Sequence, residues 1–187
     1  MRSILPLFAV ALAVSAPVLA TEVVPVAGFR SVQLVGGGIV TVVPGPAQRV
    51  TILEGSSQFT RMRVQPNGKL KIVTCDDRCP HTYRLRVRIQ SPRVPDLAIS
   101  GGGVITAAGG FRPQSQVSVA INGGGKIDAR AIEAADVSAA VNGGGEILVR
   151  PRSVLSAAVN GGGRVRYWGN PRVSMAVHGG GAVSPGS

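Results

Sequence analysis

The chain has 187 residues, a formal net charge of +11, 26 glycines, 44% hydrophobic residues and only 4% aromatics. That length suits one domain with a full core. Abundant Gly, Val, Ser and Ala, without long runs of helix formers, exclude a helical protein and point to an all-β one.

The first twenty residues read as a leader. Arg2 is the basic start, Ile4 to Leu19 is apolar but broken by Pro6 and Pro17, and Val18-Leu19-Ala20 is a small-residue cleavage site. Cleavage after Ala20 is expected, giving a signal peptide over 1–20, a domain over 21–187 and a periplasmic or secreted protein. No later apolar run approaches the roughly 18 residues needed to cross a bilayer as a helix, so no transmembrane segment is expected. Nearly all the positive charge is Arg. A cationic exported protein meets anionic envelope polymers or glycans, such as lipopolysaccharide, teichoic acids and acidic polysaccharides, before it meets nucleic acid. No nucleic-acid partner is expected.

Residues 21–94 form the N-terminal strands. Phe29, Val32 and Leu34 lead to Gly36-Gly37-Gly38 and then to Ile39–Val43, with Pro44-Gly45-Pro46 as a stop. Gln48–Leu53 and Arg61–Val64 read as strands, and Asn67-Gly68 as a hairpin turn into Lys69–Val73. From Tyr83 to Gln90 the alternation sends Leu85, Val87 and Ile89 one way and Arg84, Arg86 and Arg88 the other. With Arg61, Arg63, Lys69 and Lys71, these arginines are either a solvated strand face or one anion-binding strip. The guanidinium fork, which suits phosphate and carboxylate, is the reason to consider the second.

Residues 95–187 repeat one phrase: an alternating run, usually Asn, three glycines, then an apolar pair. The triplets begin at Gly101, Gly123, Gly143, Gly161 and Gly179, in steps of 22, 20, 18 and 18 residues. A period near twenty is the signature of a solenoid, in which each repeat buries its apolar face against its neighbours. Val117, Val137, Leu155 and Val173 form one inward column. Val119, Ala139, Ala157 and Met175 form a second, and Ile121, Val141, Val159 and Val177 a third. Ser and Ala alternate with them on the opposite face. Each repeat is expected to supply at least two short strands joined at a corner that only glycine turns cheaply. Asn122, Asn142, Asn160 and His178 precede the corners. They are read as a structural ladder of stacked side chains, the rival being a row of amides that grips a sugar chain. The expected fold is a single-domain parallel β-helix, or β-solenoid, with Gly-triplet corners.

These features resemble a known family. The Phe29–Val42 strand pair, the Asn67–Ile72 turn and strand, and the serial triplets together are similar to the putative auto-transporter adhesin head GIN domain (DUF2807) family. The resemblance spans roughly 26–184. It implies a right-handed parallel β-helix in an exported bacterial protein, with no catalytic residues to carry over. This chain has a triple glycine at its corners where the family more often has Ser-Gly-Ser-Gly.

Catalytic constellations are absent from the sequence. The nine acidic residues do not recur in a column, His81 and His178 lie far apart, and no H-E-x-x-H, G-x-S-x-G or P-loop motif occurs. No catalytic residue, metal or other cofactor is therefore expected, and the chain reads as a non-enzyme. Cys75 and Cys79, four apart in an exported chain, are most economically a disulfide; a metal site using both sulfurs, His81 and Asp76 or Asp77 is the alternative.

The reading that follows is a non-catalytic, exported, adhesin-like binding module of the cell envelope, contacting anionic envelope polymers or glycans. A self-assembling structural β-solenoid is the alternative, since little chain follows Val183 to cap the last repeat and a homo-oligomer could form through that end. Trp168 is expected as a buried plug near it, beside Arg164, Arg166 and Tyr167. A polysaccharide-active enzyme is the remote alternative.

Overall fold

The computed structural model describes residues 21–186; the expected leader lies outside the described residues. Every regular element among the described residues is a strand, and all join one sheet that wraps nearly closed around a single core. In chain order these are β1 Glu22–Val24, β2 Ser31–Val35, β3 Ile39–Pro44, β4 Arg49–Glu54, β5 Arg61–Val64, β6 Lys69–Val73 and β7 Arg86–Ser91. β8 Asp96–Gly101, β9 Val104–Ala107, β10 Gln114–Gly123, β11 Lys126–Gly143 and β12 Glu146–Asn160 follow. β13 Arg164–Tyr167, β14 Arg172–His178 and β15 Ala182–Pro185 complete the sheet.

The sheet has two arms. On the first, β6, β2, β8, β10 and the C-terminal parts of β11 and β12 pair in parallel, ending at β14. On the second, β7, β3, β9, the N-terminal parts of β11 and β12, β13 and β15 pair in parallel. Period-two alternation sends one set of side chains inward on both arms. Ile72, Leu34, Ile99, Ile121, Val141 and Val159 lie along one register column, each essentially without solvent contact. Burying side chains of this size stabilises by roughly 1.5–3 kcal/mol each, which is what holds short strands in place.

The triplets lie at the bend between the arms and stack on one another. Gly144 N donates to Gly123 O at 3.0 Å and Glu146 N to Gly125 O at 3.0 Å, the same two bonds that Gly124 and Lys126 make one repeat earlier. Gly143 has a φ of 117°, and a Cβ there would sit 2.6 Å from the Gly123 carbonyl. A Cβ on Gly145 would meet Ile121 Cγ2 at the same 2.6 Å. Only glycine fits at these two places. The middle residue is different: a Cβ on Gly144 would meet nothing within 4 Å, and nothing in the structure explains its being glycine.

Three expectations change. The regular ladder does not begin at residue 95, because β2, Gly36–Gly38 and β3 already form a rung, with Val104 N donating to Gly38 O at 2.9 Å. Chain order is not rung order either: β6 and β7 pair outside β2 and β3, although they follow them in sequence. Finally, β11 and β12 run unbroken from one triplet to the next, with register irregularities between Ala129 and Asp136, rather than as separate short strands.

The N-terminal end is closed by antiparallel strands. β4 pairs β7 and β1 pairs β4 on the second arm, while β5 folds back on β6 through the expected Asn67-Gly68 turn on the first. Here the bend holds no glycine triplet. The 74–85 loop takes its place, pinned by the Cys75–Cys79 disulfide and by Tyr83. The Tyr83 hydroxyl lies 2.6 Å from Thr60 Oγ1 and donates to Ser56 O at 3.0 Å, and its ring meets Phe59 edge-on at 5.5 Å.

Candidate functional site

The anion-binding residues expected on one face fall in two places. Arg63 and Lys71 are cross-strand partners on β5 and β6, with Arg61 opposite Val73 and Lys69 at the start of β6. Arg86 and Arg88 lie on β7 in the other arm, and Arg84 in the loop before it. The reason is topological. The strand that follows β6 crosses the bend, so alternation places its arginines outside a different arm.

On the first arm, Arg61, Arg63, Gln65, Lys71, Val73 and Asp76 line a cleft of about 220 Å³. Arg61 is ion-paired with Asp76. Among the described residues, Arg63, Lys69 and Lys71 form no ion pair, so the cleft keeps a net positive charge. Two cations directly opposite on neighbouring strands repel one another, a cost that an anion between them would relieve. On the second arm Arg86 is 3.6 Å from Glu54, while Arg84 and Arg88 are unpaired among the described residues.

The polar ladder is in register. Asn122 faces Asn142, Asn142 faces Asn160, and Asn160 faces His178. One rung is closed by a direct bond, Asn160 Nδ2 donating to Asn142 Oδ1 at 3.0 Å. Cys75 and Cys79 are bonded to each other, which removes the thiolates that a metal site with His81 would need.

A second cluster escaped the sequence reading. Trp168 is not a buried plug. It stands half-buried on the outside of the second arm, with the Arg130 guanidinium 5.0 Å from its ring. Arg130 also forks onto Asp128, with Nε to Oδ1 at 3.0 Å and Nη2 to Oδ2 at 2.6 Å. Burial pushes the Asp128 carboxyl up, but the Arg130 hydrogen bonds and charge, helped by Lys126, outweigh it and hold it below its ordinary range. The same contacts hold Arg130 further up. Nearby, Glu146 accepts from Lys126 at 2.7 Å and lies 3.9 Å from Arg166, and its carboxyl is lowered chiefly by the Lys126 hydrogen bond. The missed signal was the repeat itself: Arg130, Arg150 and Trp168 occupy successive rungs just beyond the paired Ala129, Val149 and Tyr167.

The arrangement is an all-β sheet, wrapped nearly closed, with cationic residues on its outer surfaces. The model of the family described as "Putative auto-transporter adhesin, head GIN domain" (DUF2807) matches residues 97–171, the stretch that holds most of the regular repeats. Among solved structures, a putative adhesin from Bacteroides fragilis NCTC 9343 is similar at a TM-score of 0.55 and 17% identity, over 89% of this chain and 96% of that one. A putative lipid binding protein from Parabacteroides distasonis ATCC 8503 has a TM-score of 0.42 and 15% identity, over 90% and 96%. A putative adhesin from Parabacteroides merdae ATCC 43184 has 0.40 and 16%, over 90% and 96%. The first likeness is one of fold. No curated protein matches the sequence.

Proposed function

We propose that the chain is a single-domain parallel β-solenoid serving as a non-catalytic, exported, adhesin-like module that binds anionic polymers or glycans of the cell envelope. The solenoid reading is supported by parallel in-register pairing on both arms and by triplets stacked at one bend. Export to a periplasmic or extracellular space is supported by the leader sequence and by the Cys75–Cys79 disulfide, since disulfides persist in oxidising compartments.

The observation that carries the function is the cleft at β5 and β6, where Arg61, Arg63 and Lys71 surround the single carboxylate of Asp76. A site with surplus fixed positive charge holds polyanions with an affinity that falls as salt screens it. The test is co-sedimentation of the protein, without residues 1–20, with purified bacterial envelopes across a salt series. Retention should fade with salt. It should weaken further when Arg63 and Lys71 become Gln, and more modestly when Arg84, Arg86 and Arg88 do. No retention even at low salt would sink this reading.

One observation favours self-assembly as a second reading. At the C-terminal end of the ladder Met175 is 63% exposed and Val177 39%, and among the described residues β14 and β15 each pair on one side only. Open edges of this kind template pairing with another strand. A strictly monomeric species in sedimentation at high micromolar concentration would count against it.

A further inference from the structure

We propose that the groove between Arg150 and Trp168 on the second arm binds an acidic sugar: one carboxylate-bearing pyranose of a uronate-containing glycan. The proposal rests on the glycan-binding reading above, but it names a different site and a ligand class.

The groove measures about 640 Å³ and is bounded by Thr106, Asp128, Arg130, Arg150 and Trp168 over a floor of small alanines. That volume falls within the roughly 300–1,000 Å³ typical of small-ligand sites. Its wall is fixed. Trp168 N donates to Val149 O at 3.0 Å, and Gly169 turns away behind it at a φ of 104°. The Gly186 backbone packs so tightly on the indole that a side chain there would not fit. Because Arg130 spends its fork on Asp128, those two charges neutralise one another and brace the ring.

Arg150 is the cation left over. It is exposed, it lines the groove, and it makes no ion pair among the described residues. A free guanidinium accepts a carboxylate through two parallel N–H donors. The part of the half-buried indole that Arg130 and Gly186 leave uncovered lines the groove and offers an apolar surface to the C–H face of a sugar ring. The Thr106 hydroxyl, on the rung of Asp128, can exchange hydrogen bonds with ring hydroxyls. Inorganic phosphate would use Arg150 but not the ring, and a neutral sugar would use the ring but not Arg150. A hexuronate uses both.

Trp168 is the only tryptophan, so its emission reports this groove directly. The experiment titrates the protein with trigalacturonic acid, with maltotriose and inorganic phosphate as controls. A saturable change in emission with the uronate, and little with either control, is expected. Arg150→Gln should weaken the uronate response by roughly tenfold or more, while Arg152→Gln, which lies outside the groove, should leave it unchanged. Trp168→Ala, followed by calorimetry, should abolish measurable binding. No saturable response up to about 10 mM, an equal response to maltotriose, or an unaltered response in Arg150→Gln would overturn the site. If the titration fails while envelope retention keeps its salt dependence, this site alone is wrong. If both fail, the envelope-binding reading goes with it.

Discussion

The two ends of the ladder are built from the same repeating columns yet finish differently. At the N-terminal end, β5 reverses on β6, β4 reverses on β7 and β1 adds one more antiparallel strand. Ile72 in the outermost parallel strand is consequently fully buried. At the C-terminal end, Val177 occupies the same column and is 39% exposed, with Met175 beside it at 63%. One apolar residue is a core residue at one end and a surface residue at the other. Strand periodicity decides which way a side chain points, and only the next rung decides whether it is buried.

The sharpest way to break the comparison uses the bend glycines. Gly143→Ala puts a Cβ against a carbonyl in mid-ladder and forces a left-handed φ, so a loss of at least about 3 kcal/mol is expected in denaturant unfolding. Gly179→Ala meets the Gly161 carbonyl at 2.8 Å, a similar clash. As the last rung can open locally, it should cost less than about 1 kcal/mol of global stability. Gly144→Ala should be near neutral, and a large loss there would contradict the open space seen at that position.

The apolar column gives the next largest effect. Ile72→Ala should cost about 3 kcal/mol, as buried Ile→Ala changes do, whereas Val177→Ala should cost less than about 0.5 kcal/mol. Matching losses would mean that the C-terminal end is covered in solution, which is what self-assembly requires.

The smallest effect is acid loosening of the capped end. The Glu22 carboxylate accepts the Ser57 N–H at 3.0 Å, and hydrogen bonding to Ser57, through its side chain first and its backbone second, holds the Glu22 pKa below the ordinary glutamate value. A lowered folded-state pKa means that the contribution is present above the ordinary glutamate range and is lost as pH falls through the folded value. Amide protection in β1, corrected for intrinsic exchange, should therefore drop as the solution is acidified below that range, with no counterpart in β14 or β15. Glu22→Gln should show the lowered protection already at neutral pH.

Much of the architecture was legible in the chain. The triplets at Gly101, Gly123, Gly143, Gly161 and Gly179 align in register, the columns ending at Val159 are buried, and the Asn67-Gly68 hairpin and the disulfide form. These are local or periodic features, and a strand's period of two or a turn's need for positive φ is written residue by residue. The candidate sites were harder to read. The arginines of β7 alternate as cleanly as the basic residues of β5 and β6, so nothing local reveals that a bend parts them. Arg130, Arg150 and Trp168 are separated along the chain by about a repeat each and meet only because rungs stack.

By itself, then, the sequence determined the all-β class, the inward columns and the positions where only glycine fits, because each rests on backbone geometry acting over a few residues. Tertiary structure alone decided that β6 and β7 pair outside β2 and β3, that antiparallel strands cover Ile72 while Val177 in the same column stays exposed among the described residues, and that three distant residues line one groove. Those outcomes depend on which strand lies against which. Pairing between strands far apart in sequence is chosen by the free energy of the whole core, not by any segment of it.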